Sequence, residues 1–205
     1  MTGRFNKVFG IGLSRTGTQS LSAALNELGV TSVHFPKDDT TFRQLRSGDF
    51  DLEVLARATA LCDTPVVPYY PQLDEAFPGS KFILTLRDDR EEWLASVERL
   101  WRSSPHIARH PYHKFVTAAV YGTWHFSRSR FAYVYDLHVR NVRSYFQGRR
   151  EDLLELRICD GEGWEQLAPF LGMDVPSATF PHADSFSRPQ EPDTRMGAPA
   201  LTGGS

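Results

Sequence analysis

The chain has 205 residues, 40% hydrophobic and 23% charged, with a formal net charge of -2. That suits one globular α/β domain with its own core and excludes nucleic-acid binding through overall basic charge. No stretch approaches the roughly 18 apolar residues of a membrane span. The opening, MTGRFNKVFGIG, turns into a strand at once. It lacks the apolar run and cleavage site of a signal peptide, so the cytoplasm is the expected compartment. Cys62 and Cys159 each sit in or beside an apolar run, and they read as two reduced, buried thiols rather than a disulfide.

Lys7 to Ile11 is a short apolar run ending in glycine, which predicts a buried strand. From Gly17 the period becomes helical: Leu21, Leu25 and Leu28 share a face, and Gly29 supplies a C-terminal cap. Thr31 to Phe35 predicts a second strand, stopped by Pro36, and residues 39–60 predict two short helices around Ser47-Gly48. Leu61 to Val67 contains a short strand broken by Pro65, and Pro71 to Phe77 a short helix before the Pro78-Gly79 turn. Lys81 to Leu86 is nearly all apolar and predicts a central strand. A helix follows from about Asp89, with Trp93, Val97 and Leu100 on one face. Residues 103–114 predict a loop or broken helix, interrupted at Pro111. A long helix over 131–147 follows, with Tyr135, Val139, Val142 and Phe146 aligned. Leu153 to Ile158 is the last strand, Trp164 to Leu171 the last helix, and the chain from about Ser187 turns Pro-, Gly-, Ser- and Thr-rich. The expected organisation is one domain over 1–186 and a flexible tail over 187–205. Strands alternating with helices predict a three-layer α/β fold, a central parallel sheet covered by helices. Its ligands sit beyond the C-terminal strand ends.

The most informative segment is Gly10 to Leu21, GIGLSRTGTQSL. A strand runs into a glycine-rich loop and the loop into a helix, which aims backbone N–H groups at an anion. Gly12 and Gly17 have the spacing of the nucleotide-binding P-loop, but Thr18 stands where that motif needs lysine and Gln19 where it needs the magnesium-binding hydroxyl. The cation has moved inside the loop, to Arg15. A cationic loop without the magnesium ligand suits a phosphosulfate better than a nucleoside triphosphate. Arg87 leaves the central strand toward the crevice, where its fork suits a phosphate; a surface pairing with Asp88 or Asp89 is the alternative.

Over roughly Lys7 to Gly172 the sequence resembles the sulfotransferases that use 3′-phosphoadenosine 5′-phosphosulfate, with the three-layer fold of P-loop proteins. Their first motif, which binds the 5′-phosphosulfate, corresponds to Ser14, Arg15, Thr16, Gly17, Thr18 and Gln19, with arginine in place of the usual lysine. Their second motif binds the 3′-phosphate, and KFILTLRDDREEWLAS supplies Arg87 and Ser96 for it, one residue further apart than usual. Where cytosolic members carry the histidine base of a His-x-Pro, this chain has Asp63 in Cys62-Asp63-Thr64-Pro65. The resemblance therefore implies Asp63 as a base, its pKa raised by burial; an Asx-type turn before Pro65 is the alternative. His34, ending the second strand, is the second candidate. His138 or Arg140 on the long helix is expected to line the donor pocket, and Asp160 to Gly163 to help close the site. His106, His110 and His113 suggest a metal cluster, but without an acidic partner no metal is expected.

The implied reaction is in-line sulfuryl transfer to an acceptor hydroxyl or amine, with Arg15 and the loop stabilising the leaving group. The rivals are a P-loop kinase and a non-catalytic nucleotide-binding scaffold. The acceptor stays open between a sugar, an aromatic alcohol and a lipid head group. Its determinants are expected around 36–50 and 102–130, where Trp101, Tyr112, Tyr121, Trp124 and Phe126 mix with basic residues.

Overall fold

A computed structural model describes residues 5–183, apart from the side chains of residues 106 and 108. The expected tail from Ser187, and with it the boundary at 186/187, lies outside the described residues. Five strands form one parallel sheet: β1 (Val8–Gly10), β2 (Ser32–His34), β3 (Ala60–Cys62), β4 (Lys81–Thr85) and β5 (Leu153–Leu156), in the order β2-β3-β1-β4-β5. β1 is central, flanked by β3 and β4, so the segment leaving its C-terminal end emerges mid-sheet, where the strand order reverses.

Seven α-helices are described: α1 (Thr18–Glu27), α2 (Asp39–Ser47), α3 (Tyr70–Ala76), α4 (Arg90–Ser103), α5 (Pro111–Tyr121), α6 (Arg128–Tyr145) and α7 (Trp164–Phe170). They cover both faces because successive strand side chains alternate. Val8, Ala60, Cys62 and Ile83 point into a core with Leu21 and Leu25 of α1 and Trp164 and Leu167 of α7. Phe9, Leu61, Phe82 and Leu84 point the other way, into a core with Trp93 and Val97 of α4 and Phe131, Tyr135 and Val142 of α6. The expected three-layer α/β architecture is thus the observed one.

Helix α5 departs from expectation. Pro111 does not interrupt a helix; it is the first residue of one, with His110 as the cap whose Nδ1 accepts from Tyr112 N–H at 3.3 Å. Proline is tolerated there because the first turn's N–H groups have no partner inside the helix anyway. The ends of α2 and α4 follow ordinary chemistry: Asp38 and Asp89 accept from first-turn amides, and Gly48 closes α2 in the left-handed conformation. None of the described helices is long and apolar enough to cross a membrane.

Candidate active site

The loop between β1 and α1 is shaped by close packing. Gly12 lies so near β4 that a Cβ would stand 1.9 Å from Thr85 Oγ1 and 2.6 Å from its carbonyl oxygen, so only glycine fits. Thr16, 0% exposed, donates its hydroxyl to Leu13 O at 2.7 Å and therefore accepts in its 2.6 Å bond to Thr85 Oγ1. These bonds bend the chain back over the sheet edge. Arg15 (φ 75) and Gly17 (φ 96) adopt left-handed conformations on either side of Thr16. Helix α1 then starts without a side-chain cap. The Leu21 amide reaches Gly17 O at 2.9 Å, so the N–H groups of Thr18, Gln19 and Ser20 precede the helical ladder. The helix dipole adds positive potential at that end.

Helix α4 and the end of β4 brace the loop. Trp93 Nε1 donates to Ser14 O at 3.0 Å, Arg87 Nε to Arg15 O at 3.1 Å, and Arg15 Nε to Ser96 Oγ at 3.0 Å. The backbone of Arg87 is itself clamped by Tyr135, whose hydroxyl accepts from Arg87 N–H and donates to Arg87 O.

Asp63, one residue beyond β3, is the hub of a second group. Its amide donates to Gly10 O at 3.0 Å, beside the start of the loop, and its φ is 71. Oδ1 accepts from Ser14 Oγ (2.6 Å), Thr64 N–H (2.6 Å) and Thr64 Oγ1 (3.2 Å). Oδ2 accepts from Thr18 Oγ1 at 2.9 Å and lies 3.0 Å from His34 Nε2, which is also 3.1 Å from Thr18 Oγ1. Burial pushes the Asp63 carboxyl up, but hydrogen bonding and charge from His34, the Ser14 hydroxyl and the Thr64 amide outweigh it and hold the group below its ordinary value. That is opposite to the raised value expected from burial alone. Burial does prevail at Cys62, whose thiol is pushed up to about 12.

The two groups open on one cavity of about 550 Å³. Ser14, Arg15, Gly17, Thr18, Gln19, His34, Asp63 and Arg87 all lie on its wall, so eight residues singled out from sequence meet there. Thr16 and Ser96, 0% and 1% exposed, are not on that wall; Thr16 ties the loop to Leu13 and Thr85, and Ser96 accepts from Arg15 on the wall. The non-glycine residues with positive φ among the described ones are Arg15, Phe35 and Asp63, and all three line this cavity. Each such residue costs of order 1–3 kcal/mol and persists where the surroundings hold it. Their convergence makes this cavity the candidate functional site.

The expectations for His138, Arg140 and Cys159 are corrected. His138 does not line the cavity; its Nε2 lies 2.8 Å from Ile11 O, and burial lowers its pKa. Arg140 is exposed. Cys159 is exposed rather than buried and borders the cavity beside Gly17. His113 stacks on Phe35 at 5.4 Å, and no cluster of three potential metal ligands occurs among the described residues. Asp160 and Glu162 accept from the backbone N–H groups of Asp88 and Arg157 beyond the strand ends. Sequence reasoning missed α5, which supplies His113, Val116, Thr117 and Tyr121 to the wall. The signals were present: a histidine cap, proline at the first helical position, and apolar residues at 112, 116 and 120.

The sequence matches known proteins. A family model described as a sulfotransferase domain matches residues 7–188. A protein of Aspergillus versicolor named "Ava biosynthesis cluster protein M" is 29% identical over 213 residues, covering 86% of this chain and 80% of that protein. A domain match that takes in every strand and helix of this fold shows that the chain belongs to the sulfotransferase family, whose chemistry is transfer of a sulfuryl group.

Proposed function

We propose that this protein moves a sulfuryl group from 3′-phosphoadenosine 5′-phosphosulfate to the hydroxyl of a small acceptor. The observation that carries the reading is the meeting, in one cavity, of an uncapped helix start with Arg15 on one side and the Asp63–His34 pair on the other. Sulfuryl transfer needs both. The acceptor oxygen bonds to sulfur as the bridging S–O bond breaks. A proton is therefore released at the acceptor, and negative charge grows on the phosphate oxygen that leaves.

Arg15 and the amides of Thr18, Gln19 and Ser20 stabilise the leaving charge, and they are preorganised for it by the bonds from α4. Arg87, on the same wall, serves the 3′-phosphate. Asp63 accepts five hydrogen bonds and is held in its ionised form, so it is a weak base that instead orients His34. With Nε2–H donated to Asp63, the imidazole keeps Nδ1 as its basic nitrogen, and this takes the acceptor proton. No residue is assigned to a metal.

The test compares adenosine 3′,5′-bisphosphate with ADP and magnesium in calorimetric titrations, then measures label transfer from the phosphosulfate donor to a panel of hydroxyl acceptors. The bisphosphate should bind more tightly, and Arg15→Ala should lose about 10²–10³-fold in transfer rate while still unfolding in one cooperative transition. Tighter binding of ADP with magnesium would favour a kinase. Bisphosphate binding without transfer to any acceptor would favour a nucleotide-binding scaffold.

A further inference from the structure

The last described residues return to the anion loop. Phe180, 9% exposed, packs edge-on against Trp164 with ring centroids 4.8 Å apart. A Cβ on Gly163 would stand 2.9 Å from the Phe180 ring, so a glycine makes the seat for it. Trp164 Nε1–H also donates to Ala178 O at 2.8 Å. From this anchor the chain runs through Pro181 and His182 to Ala183, whose amide donates to Ser20 Oγ at 3.0 Å, 163 residues away in sequence. Among the described residues, these two hydrogen bonds are the ones that hold residues 178–183, and the second closes on the first turn of α1. His182 and Ala183 are exposed, and both lie on the cavity wall with Ser20, Ile158 and Cys159. The segment is seated in the core at Phe180 and latched at Ala183 by one bond, so its far end is the part that opens at least cost.

The sheet order shows which part of a donor this segment meets. β2 and β5 are opposite edges of the sheet. His34 ends β2 and Asp63 follows β3, whereas Ile158 and Cys159 follow β5, and the anion loop leaves β1 between them. In-line displacement sets the attacking and leaving oxygens on opposite sides of the atom transferred. With the acceptor's proton taken at His34, the nucleotide extends toward β5, the side on which His182 and Ala183 stand with Ile158 and Cys159. We propose, resting on the sulfotransfer reading above, that residues 178–183 form a strap over the donor's nucleotide, and that opening of the Ser20–Ala183 latch gates release of adenosine 3′,5′-bisphosphate. Ser20 then has two tasks. Its backbone N–H belongs to the anion site, and its hydroxyl holds the strap, so the strap is coupled to the loop that binds the donor. Opening of such covers sets the rate of product release in many enzymes.

The experiment uses the full chain and times the release of radiolabelled adenosine 3′,5′-bisphosphate chased with unlabelled ligand. Failure of the bisphosphate to bind would sink the sulfotransfer reading and the strap with it. Where it binds, two variants break the latch from opposite sides. Ser20→Ala removes the hydroxyl and keeps the amide, and Ala183→Pro removes the strap's N–H and leaves α1 untouched. Each should speed release about three- to tenfold, the worth of one hydrogen bond. The double variant should go no further, because both changes remove the same bond. Hydrogen exchange supplies a second readout: the bisphosphate should protect the amides over residues 178–183 in the wild type, and both variants should lose that protection. Three results would overturn the strap while binding of the bisphosphate leaves the sulfotransfer reading standing. They are release at the wild-type rate in both single variants, multiplicative effects in the double variant, and strap amides that exchange alike with and without the bisphosphate.

Discussion

Arg15 and Ser96, 81 residues apart in sequence, are joined by a 3.0 Å hydrogen bond from the guanidinium Nε to the serine hydroxyl. Arg15 is the cation of the anion loop, and Ser96 belongs to α4 and is 1% exposed. The family resemblance assigns that serine to the donor's 3′-phosphate. Here its hydroxyl holds the arginine that faces the sulfuryl end of the proposed donor. A guanidinium anchored through Nε keeps its fork in a fixed plane, which a lysine at the same position would not.

Ser96→Ala should therefore act through Arg15. The transfer rate is expected to fall about tenfold, as for loss of one charge-assisted bond, while affinity for adenosine 3′,5′-bisphosphate changes little. If the variant instead loses affinity for the bisphosphate and keeps it for adenosine 5′-phosphate, Ser96 touches the 3′-phosphate directly.

Arg87 is tied to the loop differently, donating Nε to Arg15 O while Glu92 stands 3.7 Å from its NH1 on the solvent side. Arg87→Ala should weaken adenosine 3′,5′-bisphosphate more than adenosine 5′-phosphate, by about tenfold or more for loss of a phosphate clamp. Equal losses for the two ligands in parallel titrations would mean that Arg87 only braces the loop.

The strands and the loop were legible because local patterns encode them. Apolar runs ending in glycine or proline mark the strands, and the glycine spacing from Gly12 to Gly17 marks the turn into α1. Arg15 was legible as a candidate because it is the cation inside the glycine loop, and Arg87 and His34 because they stand at or just beyond strand ends, where a parallel sheet opens. What stayed hidden depends on contacts between distant segments. Nothing local tells that Ser14 and Thr18 donate to Asp63 across 49 and 45 residues, or that the carboxylate is thereby saturated and its pKa lowered rather than raised. Helix α5, which carries Tyr121 to the cavity, was hidden for a further reason. Pro111 resembles a helix breaker in one dimension and is a helix start in three.

Gly12→Ala should be among the most damaging single-methyl changes in the chain. The added Cβ meets Thr85 from both its side chain and its backbone, at 1.9 and 2.6 Å, and β4 cannot move aside without breaking its ladder to β1. Overpacking of this kind costs about 1–3 kcal/mol or more. The expected outcome is a lower midpoint in urea with an unchanged slope. Gly29→Ala is the control, because a Cβ there meets nothing within 4 Å and strain at φ 78 is its sole penalty. Similar losses at both positions would mean that close packing does not set the requirement at Gly12.

Asp63→Asn tests the proton path and the electrostatics of the hub together. Asparagine fills the same space and tolerates the left-handed backbone at φ 71, so the turn before Pro65 should survive. The amide, however, offers one acceptor oxygen to groups that now use two, and it no longer favours a donated His34 Nε2–H. Transfer in a single-turnover measurement should fall by about 10²–10⁴-fold, the range of a lost general base. His34→Ala should fall as far, and the double variant little further, because the two residues act as one unit. Fully multiplicative losses would mean that they act separately. Stability supplies a second readout. The folded pKa of Asp63 lies below its unfolded value of about 3.9, so the unfolded chain binds more protons in that range. The carboxylate's contribution is then fully present above about pH 4 and is lost as the pH falls through the folded pKa. The melting-temperature gap between wild type and Asp63→Asn should be widest near pH 6 and should narrow steadily toward pH 3. A gap that stays constant over that interval would show that the bonds to Asp63 do not depend on its charge, and the orienting role proposed for it would fail.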